Sequence, residues 1–138
     1  MTPKNLRYHF RQDPGPTNAL GGVKFMFPNR FDVYLHDTPA TGLFARMPRD
    51  FSSGCIRLER PAALAEYVLD DAKSWDAEHV KEAMRAGKER TVRLRRPIPI
   101  HILYWTAFVE ADGRLQFRRD VYSRDAPLLE ALHRTPGA

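Results

Sequence analysis

The chain holds a single cysteine, Cys55, among 138 residues. A thiol becomes a working nucleophile when it gains thiolate character, exposure and a place for the oxyanion that develops on the attacked carbonyl. His36 is the candidate base, because it falls on the polar side of a strand pattern. An imidazole within hydrogen-bond reach of a thiol lowers its pKa and holds the proton for the leaving group. Gly54 allows the backbone to turn closely beside Cys55, so that main-chain N–H groups can point at the reacting carbonyl. On spacing alone the signal is weak. Any chain with one cysteine and five histidines offers such pairings, and most free cysteines are small core residues. The polar neighbours Ser52, Ser53 and Arg57 argue against deep burial of the sulfur.

The elements that must hold these groups can be read from the patterning. Arg11 to Gly22 contains two prolines and three glycines and reads as a surface loop. Val23 to Phe27 is a short apolar run closed by Pro28 and Asn29, the pattern of a buried strand. Phe31 to Asp37 alternates, with Phe31, Val33 and Leu35 on one face and Asp32, Tyr34 and His36 on the other. Thr38 to Asp50 is a connecting loop with Pro39, Gly42 and Pro48. Ser52 to Gly54 is turn-prone and leads into Cys55-Ile-Arg-Leu58, where Cys55 and Arg57 share a face. Pro61 suits the first turn of a helix with Leu64, Val68 and Leu69 as its apolar stripe. A second helix is expected over about 75–86, capped by Ser74 or Asp76 and stopped by Gly87. Beyond Val92 the pattern is β again: Pro97 and Pro99 mark an edge or bulge, Ile100 to Val109 reads as a long strand, and Asp112-Gly113 signals a hairpin into Leu115 to Arg118. The expected fold is one mainly β domain over 1–138 with a helical insertion at about 61–87.

Composition bounds the rest. Hydrophobic residues are 43% of the chain, as in globular proteins. The net charge of +5 favours anionic partners without choosing among nucleic acid, membrane surfaces and carboxylate-rich polymers. Nucleic-acid binding is set aside because the basic residues, including the run Arg93-Leu-Arg-Arg96, are spread out and the aromatics fall in strands. No apolar run approaches the roughly 18 residues of a membrane span, and Met1 to Gln12 lacks the apolar stretch of a secretion signal. One thiol and scattered imidazoles give no zinc-ligand spacing, so no metal or other cofactor is expected. His101 falls among apolar strand residues and reads as structural, while His9, His79 and His133 read as surface residues.

The segment Tyr34-Leu-His-Asp-Thr-Pro39, followed by Ser52-Ser-Gly-Cys-Ile-Arg57, resembles the active-site signature of the L,D-transpeptidases, and is most similar to the large envelope type of Gram-negative bacteria. In that family a histidine stands somewhat under twenty residues before a Ser/Thr-His-Gly-Cys motif, and an Asn or Arg follows two places after the cysteine. Pro14-Gly-Pro-Thr-Asn-Ala-Leu-Gly21, Phe25-Met-Phe-Pro-Asn29, Tyr104-Trp-Thr106 and Asp112-Gly113 with Phe117, Asp120 and Tyr122 look like further family segments. The resemblance covers roughly residues 10 to 125.

The resemblance implies an L,D-transpeptidase-like β-sandwich or barrel. It also implies a cysteinyl acyltransferase of the periplasm or cell envelope, which joins peptidoglycan tetrapeptide stems as donor and acceptor and releases D-Ala. Cys55 would attack, His36 would move the proton, the main-chain carbonyl of Asp37 would orient His36, and the N–H groups of Gly54 and Cys55 would hold the oxyanion. Tyr34, Ser53 and Arg57 stand where the family meets substrate, although Tyr34 reads equally as a half-buried strand aromatic and Arg57 as a brace to loop carbonyls. Carbapenems would acylate Cys55 by the same chemistry. Two departures stand out. Ser53 replaces the histidine of many relatives, and the family's catalytic domain begins well before the first residue here, so the sheet is expected to be incomplete at its N-terminal side. The same residues would serve a cysteine amide hydrolase, in which water resolves the acyl-enzyme, and the fold alone would serve a non-catalytic remnant.

Overall fold

The computed structural model describes residues 8, 10–71 and 73–134. The chain divides into two compact units, Met1–Ile98 and Pro99–Ala138.

In the first unit three short strands pair in chain order: β1 (Lys24–Phe25), β2 (Leu35–His36) and β3 (Ile56–Arg57). Strands β1 and β2 are antiparallel, with Lys24 opposite His36; β2 and β3 are parallel, with His36 opposite Arg57. The strand expected over Phe31 to Asp37 is shortened at its start. The Asn29 carboxamide accepts from the N–H groups of Phe31 and Val33 and donates to the carbonyls of Phe27 and Val33. This local bonding competes with a ladder, and Asp32 adopts a left-handed φ of 54°. The strand is therefore confined to Leu35–His36.

The helical insertion follows the cysteine as expected. Helix α1 (Pro61–Leu69) has Pro61 in its first turn and ends at Asp70, which takes the left-handed conformation at φ 47°. Helix α2 (Ala77–Arg85) is capped by the Asp76 carboxylate, which accepts from the N–H groups of Glu78 and His79. Gly87 turns the chain away at φ 64°. The two helices pack against each other, and each buries one apolar residue, Ala65 at 5% and Val80 at 2% exposure.

In the second unit, β4 (Ala107–Val109) and β5 (Leu115–Phe117) form the hairpin that Asp112-Gly113 signalled, with Gly113 at φ 85°. The long strand expected over Ile100 to Val109 survives only in its last three residues. A ladder can extend no further than its partner, and the pairing ends where Arg118 N–H donates to the Thr106 carbonyl. His101, expected to be structural within that strand, is exposed and outside regular structure. Helix α3 (Asp125–His133) was not anticipated. Its start is held by Asp120, whose carboxylate accepts from the N–H groups of Arg124 and Asp125 and is thereby pulled below the usual carboxylate range. The architecture is thus small β-sheets with a helical insertion, and no barrel closes among the described residues.

Candidate active site

Strand β2 supplies the histidine. His36 is 5% exposed, and its Nδ1 lies 2.6 Å from the main-chain carbonyl oxygen of Asp37. A carbonyl only accepts, so Nδ1 carries the proton and Nε2 is left as the basic nitrogen of the neutral ring. The Asp37 carboxylate pins the same corner: Oδ2 accepts from Gly22 N–H at 2.8 Å and Oδ1 from Thr38 N–H at 2.7 Å, while Asp37 N–H donates to the Val23 carbonyl. Gly21 makes the close approach possible. It sits at φ 62°, and a Cβ there would lie 2.4 Å from the Asp37 carboxylate. Buried Thr38 completes the turn by accepting from Ala40 N–H.

Strand β3 brings the sulfur to the same face. The N–H groups of Ile56 and Leu58 donate to the carbonyls of Tyr34 and His36, at 3.0 and 2.9 Å. This register sets Arg57 beside His36 and Ile56 beside Leu35, so that Cys55, two residues back from Arg57, lies alongside Tyr34. Cys55 is half-buried. The turn before it is closed by the Ser52 hydroxyl, which donates to the Cys55 carbonyl at 2.6 Å. Gly54 takes a φ of 151°, and a Cβ there would come within 3.2 Å of Val33. Among the described residues the N–H groups of Gly54 and Cys55 donate to no protein acceptor.

The Tyr34 ring meets His36 edge to face, with centroids 5.7 Å apart. Hydrogen bonding to Cys55, together with burial and the charge Cys55 can carry, pushes the Tyr34 phenol above its ordinary range. Backbone pairing therefore sets Cys55 alongside Tyr34 and places His36 in the next position of the same strand face. Among the described residues no hydrogen bond links His36 to Cys55. Ser53 is exposed. Arg57 is half-buried and, among the described residues, makes neither an ion pair nor a hydrogen bond to a loop carbonyl. Of the other histidines, His79 is exposed and bonded to Asp76, His133 is exposed at the end of α3, and His9 lies outside the described residues.

Sequence reasoning passed over Lys24. It stands opposite His36 in β1 with Nζ 4.0 Å from the Tyr34 ring centroid. The available signal was a lone cation inside the apolar run Val23 to Phe27.

Residues 1–99 match the family model YkuD, the L,D-transpeptidase catalytic domain. The chain belongs to that family, and the matched stretch nearly coincides with the first compact unit. The chain is also similar to a candidate L,D-transpeptidase of Haemophilus influenzae, with 36% identity over 118 residues, 86% of this chain. It spans 24% of the length of that relative.

Proposed function

We propose that this chain carries the catalytic centre of an L,D-transpeptidase that cross-links peptidoglycan stem peptides through a thioester on Cys55. The Cys55 sulfur attacks the carbonyl between the diamino acid and the terminal D-Ala of a tetrapeptide stem. An S–C bond forms and the C–N bond breaks; the thiol proton, taken by Nε2 of His36, passes to the leaving amine, and D-Ala departs. The side-chain amine of a second stem then attacks the thioester. Its N–C bond forms as the S–C bond breaks, and its proton returns through His36 to the sulfur. Tyr34, Ser53 and Arg57 meet the substrate; a guanidinium such as Arg57 suits a stem carboxylate. The substrate places this chemistry in the cell envelope.

The observation that carries the reading is the orientation of His36. Its Nδ1 is committed to the Asp37 carbonyl, which leaves a basic nitrogen on the strand face shared with Cys55. The N–H groups of Gly54 and Cys55, without an acceptor among the described residues, are the complement an oxyanion needs.

Intact-mass measurement after mixing with a carbapenem tests the nucleophile. The expected result is a single adduct on the wild-type chain and none on Cys55→Ala. A folded wild-type chain that stays unmodified, or an adduct that persists in Cys55→Ala, overturns the proposal. Product analysis with stem peptides then separates cross-linking from hydrolysis.

A further inference from the structure

The sheet that bears Cys55 also presents two cations beside it. Antiparallel pairing sets Lys24 opposite His36 from one side, and parallel pairing sets Arg57 opposite His36 from the other. Residues directly opposite in a sheet share a face. Lys24, His36 and Arg57 therefore form one row across the three strands, with Tyr34 and Cys55 in the neighbouring row. The Lys24 side chain leans toward that second row, its ammonium 4.0 Å from the Tyr34 ring centroid. Parallel pairing carries that row on to Cys55, whose neighbour Ile56 donates its N–H to the Tyr34 carbonyl. Among the described residues neither Lys24 nor Arg57 makes an ion pair, whereas arginines elsewhere in the same unit pair with Asp70, Asp71 and Glu89.

We propose that Lys24 is a specificity-determining residue of the acyl-donor site, and that its ammonium takes the α-carboxylate of the terminal D-amino acid that is expelled. The proposal rests on Cys55 being the acylated nucleophile. In a donor peptide that carboxylate lies one residue beyond the attacked carbonyl, so a cation one aromatic ring away from the sulfur is within its reach. Tyr34 fits the role of a platform. Its π face attracts the ammonium and limits where it can sit, and it leaves the outward N–H donors for a substrate anion. The carboxylate leaves with the amine when the C–N bond breaks. Lys24 therefore acts on formation of the acyl-enzyme and has no ligand during its resolution.

The test uses the full chain and two tetrapeptide donors identical except at the end, one with a free C-terminal carboxylate and one with a carboxamide. Both yield the same acyl-enzyme, so intact mass against time compares their rates directly. The wild-type chain should acylate about tenfold faster with the acid than with the amide, the size expected of one charge-assisted contact at a partly exposed site. Lys24→Met should lose that preference by slowing the acid donor alone, and Lys24→Arg should restore it. Resolution of preformed acyl-enzyme by an amine acceptor should be the same in all three. A Lys24→Met chain that keeps its preference, or that slows with both donors alike, overturns the role given to Lys24. A wild-type chain that neither donor acylates overturns the reading of Cys55 and this proposal with it.

Discussion

Gly21→Ala tests whether the Asp37 corner holds the site together. Two costs arise at once. The new methyl group must occupy a left-handed backbone position at φ 62°, which costs an L residue about 1–2 kcal/mol. It would also stand 2.4 Å from Asp37 Cγ and Oδ2 and 2.6 Å from Asp37 Cβ. Rotating the carboxylate cannot relieve a clash with its own Cβ, so the backbone at 21 or 37 must move. That movement breaks the bonds from Gly22 and Thr38 N–H to the carboxylate. At the low end of the range for charged groups, this loss adds about 1.5 kcal/mol or more per bond. The sum is about 4–5 kcal/mol, a large share of the stability of a small domain. Urea unfolding followed by circular dichroism reads it directly. Asp37→Ala loses the same two bonds, so the double variant should be clearly less destabilised than the sum of the singles. Acylation of Cys55 should also slow in Gly21→Ala, because the Asp37 carbonyl that fixes His36 moves with the corner. A Gly21→Ala chain within about 0.5 kcal/mol of wild type, the scatter of ordinary surface changes, would refute the argument, as would strictly additive losses.

Two further outcomes follow from the charged groups. Its neighbour Cys55 and burial push the Tyr34 phenol up, so an ultraviolet difference titration against Tyr34→Phe should show it ionising above the ordinary tyrosine range. Cys55→Ala should bring that ionisation down; no change would separate the two side chains. The Asp76 carboxylate is lowered by its bonds to His79 and to the start of α2. A folded-state pKa below the unfolded value gives stability that is present above the ordinary carboxylate pKa and lost as pH falls through the folded one. Asp76→Ala should therefore be less stable than wild type at neutral pH, and the gap should narrow in acid; a gap that stays constant to low pH would assign the effect to packing.

Local chemistry was legible wherever neighbours in the chain decide the outcome. Pro61 opened a helix, Asp76 capped one, Gly87 released it and Asp112-Gly113 turned a hairpin, because each acts within a few residues of itself. Cys55, Gly54 and His36 could be singled out only with the help of the motif resemblance, since on spacing alone the signal is weak. Strand lengths were not legible, since alternation records which face a residue would take and not whether a partner lies alongside. Asn29 withdrew the start of the expected strand from β2 by bonding the backbone of Phe31 and Val33 locally. Ile100 to Trp105 stayed outside the hairpin because β5 is short.

By itself the sequence determined which groups this chain offers for the proposed acyl transfer, because a nucleophile, a base and a flexible backbone are properties of residue types. Tertiary structure alone decided how they meet. The pairing of β2 with both β1 and β3 put Lys24, Tyr34, His36, Cys55 and Arg57 on one face, and the close approach of Gly21 to Asp37 fixed the corner that turns His36. Strand register and backbone contact depend on residues distant in the chain, and no local pattern encodes them.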